Sequence, residues 1–231
     1  MTDLLDPRHG LPAADGSIPG RGGPTVLIAT DPEAVSVAAA AMAAGGIVGL
    51  PTETVYGLAV VPNAASLKAV MDAKGRPQGK GIAVLIDGID QVEGLVTLPD
   101  RALRLAERFW PGPLTLILPL RRPGSLPEAL TGGRRTLGVR LPDHAVPRAL
   151  ARQLGPIAVT SANRSGEPEA RTAAALIEAV GASLAVVLDD GPVRGGVAST
   201  VVGFGAGGRA IVLREGALGR IAVDVALAEG G

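Results

Sequence analysis

The chain contains no cysteine. Disulfides, thiolate zinc sites and a cysteine nucleophile are therefore excluded, while the redox compartment stays open. Aromatic side chains are nearly as scarce, with one Trp, one Tyr and two Phe in 231 residues. Four rings are too few for a platform on which successive nucleic-acid bases stack. Neither sign of charge is in excess, since 22 basic residues meet 22 acidic ones. The chain thus lacks the global cationic field of sequence-independent nucleic-acid binders, and any anion site has to be local. No apolar run reaches membrane-spanning length, and the opening "MTDLLDPRHGLPAADG" carries acids and prolines where a signal peptide needs an apolar stretch. These features predict a soluble cytoplasmic protein with no membrane partner.

What is plentiful is backbone punctuation. The 33 glycines and 19 prolines separate apolar runs without replacing them. Residues 1–23 are Gly/Pro-rich and aperiodic, which predicts a flexible N-terminal tail. Apolar runs that read as strands follow: "TVLIA", "GIVGL", "IAVLI", "PLTLILPL", "TLGVRLP", "PIAVT", "LAVVLDD", "STVVGF" and "AIVLRE". Between them the pattern predicts helices after Asp31-Pro32, read as an N-cap and a first-turn proline, and over 65–73, 99–109, 146–153 and 173–180. Continuously apolar strands interleaved with helices suit a sheet covered on both faces. The expected fold class is α/β: one domain over 24–218, a single twisted mixed sheet with helices on both faces, followed by a C-terminal tail or frayed helix over 219–231.

Several polar clusters interrupt this pattern. "KGRPQGKG", at 74–81, places three cations and three glycines after a predicted helix. It reads either as a phosphate cradle built on backbone N–H groups or as a solvated helix C-terminus whose cations favour the dipole. It is not a P-loop, because G-x-x-x-x-G-K-[ST] is absent. "LPTETVYGL", at 50–58, sets two threonines, a carboxylate and the one tyrosine at a strand end. That is the usual place for a ligand in an open α/β sheet, and equally an ordinary proline-started turn. Arg140 falls inside an apolar strand, where a guanidinium needs either a structural ion pair or a ligand carboxylate. "VTSANRSGEP", at 159–168, offers hydroxyl and amide groups to a nucleotide, or simply Asx and Ser turns. No G-x-S-x-G accompanies it, and the two histidines, His9 and His144, give no serine-hydrolase arrangement. "GFGAGG" precedes a strand and not a helix, so it predicts a hairpin loop and no dinucleotide site.

The order of these segments is more specific than any one of them. "LPTETVYGL", "KGRP", "WPGPLTLIL", "TLGVRLPDH", "VTSANRSGEP", "STVV" and "IVLREGAL" resemble, over about residues 25–218, the YrdC/Sua5 family of threonylcarbamoyl-AMP synthases in its short, single-domain form. The family's K-x-R and S-x-N pairs match Lys74, Arg76, Ser161 and Asn163. The resemblance implies a YrdC-like fold with a concave cationic cavity. It also implies synthesis of L-threonylcarbamoyladenylate and pyrophosphate from L-threonine, bicarbonate and ATP, toward the t6A modification of tRNA. By the family's pattern Lys74 and Arg76 are catalytic, and Thr52, Arg140 and Ser199 surround threonine. Arg76, Lys80, Thr136, Ser161, Asn163 and Arg214 surround ATP. Mg²⁺ is expected only on the nucleotide's phosphates, with no protein metal site. tRNA or a downstream threonylcarbamoyl transferase complex would be the macromolecular partner. This chain departs from the family at Gly81-Ile82, often Pro-Leu, at Gly203, often aspartate, and near Glu169, usually a small hydroxyl residue. The alternative is a non-catalytic YrdC/YciO-like protein that binds structured RNA, against which neutral charge and few aromatics weigh.

Overall fold

The computed structural model describes residues 23–75, 77, 79–163 and 168–228. The expected N-terminal tail, Gly23 excepted, lies outside the described residues, as do Arg76 and residues 164–167. In chain order the elements begin with β1 (Thr25–Ile28), α1 (Ala34–Ala43), β2 (Val48–Leu50), β3 (Gly57–Val60), α2 (Ala64–Lys74) and β4 (Ala83–Leu85). They continue with α3 (Asp100–Phe109), β5 (Leu114–Pro119), α4 (Glu128–Thr131), β6 (Thr136–Arg140), α5 (Ala145–Leu154) and β7 (Ile157–Ser161). The last are α6 (Ala173–Val180), β8 (Val186–Asp189), β9 (Thr200–Phe204), β10 (Ala210–Arg214) and α7 (Arg220–Ala228).

Ten strands form one mixed sheet in the order β1-β8-β2-β3-β7-β4-β6-β5-β9-β10. The central strands β2 and β3 are buried along their whole length, which is why their sequences are apolar without alternation. The rims differ. β1 and β10 expose Val26, Ile28, Ile211 and Leu213, as edge strands with one neighbour do. The "GFGAGG" segment closes the antiparallel β9–β10 pair, and Gly207 and Gly208 supply the positive φ of that turn.

The two faces of the sheet are covered unequally. On one, Leu58, Val84, Leu116, Leu137 and Val202 join α2, α3, α6 and α7 in a continuous core. On the other, α1 and α5 pack over Val48, Leu50, Ala59, Leu85, Ile157 and Val186. That second helical layer does not extend over β6, β5, β9 and β10. The uncovered half-face becomes the cavity described below.

The structure corrects one expectation, at Asp31, and decides another, at the C-terminus. Asp31 does not cap α1 with its side chain: the chain makes an extra turn, the Asp31 carbonyl accepts from Ala34 N, and Glu33 holds the cap position without a side-chain hydrogen bond. Of the tail or frayed helix expected over 219–231, residues 220–228 form α7, which packs on α3 and buries Val223 and Ala226. Their i, i+3 spacing gives a short sequence one apolar stripe, and tertiary burial, more than propensity, holds such a helix.

Candidate active site

Strand pleating explains the hollow. Residues two apart share a face, and Thr136, Gly138 and Arg140 of β6, Thr115 and Ile117 of β5, and Ala83 and Leu85 of β4 all turn toward the uncovered side. With Ser161, Ser199 and Arg214 they line a cavity of about 490 Å³. Its floor is low because Gly57, Ala83 and Gly138 carry little or no side chain. A Cβ on Gly138 would meet Ala83 Cβ at 3.2 Å.

The turn after β2 supplies one wall. Thr52 Oγ1 donates to Val55 O at 2.7 Å and accepts from the N–H groups of Thr54 and Val55. Because its one hydrogen is committed, the Thr54 hydroxyl is the donor in the 2.8 Å Thr52–Thr54 contact. Thr54 Oγ1 is thereby left to accept from Arg140 Nη2 at 3.0 Å. Arg140 Nε donates to Gly112 O at 3.1 Å, in the "WPGP" turn. Arg140 is also ion-paired: Nη2 lies 2.7 Å from Glu53 Oε1. Both Glu53 oxygens, shielded from water, accept no hydrogen bond among the described residues. Of the two readings open for Arg140, the structural ion pair is formed, with Glu53, and the same side chain also lines the cavity.

Arg214, from β10, reaches the opposite wall. Its Nη2 and Nε donate to Ser199 O at 2.8 and 3.2 Å, and Ser199 Oγ pairs with Thr115 Oγ1 at 2.8 Å. Burial lowers the Arg214 pKa; the Glu169 carboxylate opposes that shift and the nearby positive charge of Arg140 adds to it. The glutamate that departs from the family pattern is thus an electrostatic neighbour of Arg214. Thr200 locks this wall from outside: its hydroxyl donates to Leu218 O and accepts from Gly216 N and Leu218 N. Gly203, the second departure, leaves room for Leu213, whose Cδ1 would lie 2.9 Å from an added Cβ.

Lys74 closes α2 before Gly75, whose left-handed φ of 58° ends the helix. It is buried and meets the Ser161 carbonyl and, at 3.4 Å, the Ser161 hydroxyl. Ser161 Oγ donates to Asn163 Oδ1 at 2.6 Å. Lys74 and Asn163 therefore brace a lining residue and do not line the cavity themselves. Lys80 is exposed and is likewise absent from the lining. Arg76 lies outside the described residues. Gly81 differs from expectation in its reason: a Cβ there would stand 2.5 Å from Leu130 O, so its smallness first serves packing against α4. Arg134 fastens the same contact by donating to Gly79 O at 3.0 Å.

Six of the residues singled out in the sequence, Thr52, Thr136, Arg140, Ser161, Ser199 and Arg214, thus share one basin. Thr54, the second threonine of "LPTETVYGL", lines it as well, and so do Thr115, Thr131 and Arg134, which were not singled out. A hydroxyl within the apolar run "PLTLIL" was the available signal for Thr115. Among the described residues no helix is long and apolar enough to cross a membrane.

The Sua5/YciO/YrdC family model, described as "Telomere recombination", matches residues 40–216. Threonylcarbamoyl-AMP synthase of Bacillus subtilis is 42% identical over 179 residues, covering 76% of this chain and 51% of that protein. The crystal structure of Pyrococcus abyssi Sua5 complexed with L-threonine is similar at a TM-score of 0.79 and 36% identity, covering 84% of this chain and 57% of that one. Escherichia coli YciO shares the fold at a TM-score of 0.74 and 20% identity, over 86% of this chain and 97% of that one. The chain spans about half the length of the first two of these relatives. With an ordered set of motifs, one shared basin and a family match over most of its length, the chain belongs to the Sua5/YciO/YrdC family.

Proposed function

We propose that the protein is a nucleotidyltransferase that makes L-threonylcarbamoyladenylate. The observation that carries this reading is the convergence of Arg140 and Arg214, with a ring of hydroxyls, on one hollow over the uncovered half-face of the sheet. The names of similar proteins, and the L-threonine in one of them, support it.

In the proposed reaction the amine of L-threonine adds to bicarbonate and water leaves, giving a carbamate. A carbamate oxygen then attacks the α-phosphorus of ATP, forming a P–O bond as the α–β bridging bond breaks. Pyrophosphate carries away the negative charge. Both reactants are anions, so the protein's task is to neutralise and align them, and no covalent nucleophile is needed. Arg140 would take the threonine carboxylate, with Thr52 and Ser199 shaping its surroundings. Arg214, Ser161 and Thr136 would face the nucleotide, with Arg76 and Lys80 on its phosphates, and Lys74 and Asn163 would hold Ser161 in place. A magnesium ion on the triphosphate would offset charge there. The product would serve t6A formation on tRNA in the cytoplasm, handed to a threonylcarbamoyl transferase complex.

The test is direct. Purified protein incubated with Mg²⁺, ATP, L-threonine and bicarbonate should yield threonylcarbamoyl-AMP by mass spectrometry and release pyrophosphate only when all substrates are present. Absence of the adduct would refute the proposal. Submicromolar, steeply salt-dependent tRNA binding without ATP binding would instead favour the RNA-binding alternative.

A further inference from the structure

Glu53 has no place in the chemistry above. Its carboxylate oxygens are out of contact with water, and neither accepts a hydrogen bond among the described residues. A buried carboxylate in that state is costly unless a charge compensates it. The cation in contact with it is Arg140, 2.7 Å away.

The backbone of this turn is fixed from both sides. Gly195 N donates to Glu53 O at 3.2 Å and Gly196 N to Thr54 O at 2.7 Å, so the segment before Ser199 crosses behind the turn. A Cβ on Gly195 would stand 2.7 Å from Glu53 O, so the crossing requires a residue without a side chain. In front, the hydroxyl order Thr54 to Thr52 to Val55 O runs one way, and Thr54 can only accept from Arg140. Arg140 is thus gripped along one edge, through Nε by Gly112 O and through Nη2 by Thr54 and Glu53. Nη1 is the terminal nitrogen that no described residue takes up, in a side chain that lines the cavity.

We infer that Glu53 is a positioning residue for the amino-acid half of the cavity: its charge clamps one edge of Arg140 so that the other edge is presented to the substrate carboxylate. The inference rests on the proposed function. It separates two roles a neighbouring anion can have. A carboxylate that merely competes for Arg140 would weaken substrate binding, and its removal would tighten it. A carboxylate that orients Arg140 does the opposite, because the direction in which Nη1 donates depends on the plane of the guanidinium.

Calorimetry and steady-state kinetics on Glu53→Gln, which keeps size and removes charge, decide between them. The expected result is a rise of roughly 10- to 100-fold in the L-threonine dissociation constant and KM. The ATP constant should be unchanged, kcat at saturating threonine should stay within a few-fold, and Glu53→Asp should recover part of the loss. Unchanged or tighter threonine binding would overturn the inference, as would threonine and ATP affinity falling together with Tm. If the Gln variant does not fold, Thr54→Val removes the hydroxyl acceptor while leaving the carboxylate. It should raise the threonine constant alone, and an unchanged constant overturns the inference. Wild-type protein that binds no L-threonine would sink the proposed function and this role together; wild-type binding with an indifferent Glu53→Gln sinks only the role.

Discussion

Arg140 and Arg214 enter the same basin under different constraints, and their variants should fail differently. Arg140 is held by three partners from two segments, the turn after β2 and the "WPGP" turn. Arg140→Ala removes a charge-assisted contact in a site shielded from water. Adenylate formation should fall by roughly two orders of magnitude or more, read by pyrophosphate release; equal activity would remove Arg140 from the site. Thr52 behaves differently, because its hydroxyl is saturated within its own turn. Thr52→Val should lower stability by about 1–3 kcal/mol, the cost of stranding its buried partners, while Thr52→Ser should stay near wild type. Denaturant midpoints check this, and an unaffected Val variant would show that the turn does not depend on that oxygen.

Among the elements, α5 and the loop after α2 carry the sharpest expectations. His144 caps α5 by accepting from Val146 N through Nδ1 at 3.3 Å, which only an unprotonated nitrogen can do. Burial holds its pKa below the usual imidazole range, against the pull of Asp190, Glu53 and Asp143. The unfolded chain therefore takes up the proton first. The contribution to stability is complete above about pH 6.5 and is lost as pH falls through the folded pKa. Tm should decline from pH 7 toward pH 5, and His144→Asn, which keeps a cap acceptor without titrating, should decline less. Parallel pH curves would contradict that assignment. Gly81→Ala is the test of the contact between α4 and the loop after α2. With a Cβ 2.5 Å from Leu130 O, it should cost about 1–3 kcal/mol through forced backbone shifts, and unchanged stability would mean that α4 yields freely.

For the whole molecule, the decisive feature is that one helical layer covers only half of its side of the sheet. The bare half-face can bind ligand without opening the core, so ligands should stabilise the fold by mass action. At 100 times its Kd a ligand contributes about 2.7 kcal/mol, which in a domain of this size raises Tm by roughly 5–10 °C. L-Threonine should produce such a shift in the wild type and not in Arg140→Ala, as followed by thermal melting. A full threonine shift in that variant would place the amino-acid site elsewhere.

The sequence by itself determined the class of the fold, most of its elements and the identity of its polar clusters. Those are local properties: apolar runs too continuous for a half-exposed sheet, hydroxyls and cations at strand ends. Only the tertiary structure decided which half-face stays open, that Glu53 partners Arg140 and Glu169 influences Arg214, and that Lys74 supports Ser161 without lining the cavity. It also decided that residues 220–228 are a helix, since Val223 and Ala226 acquire a reason to be helical only once α3 lies beside them. The physical reason is the same in each case. Periodicity reports which residues avoid water, but which side chains meet depends on contacts between segments tens of residues apart, and those exist only when the sheet has assembled.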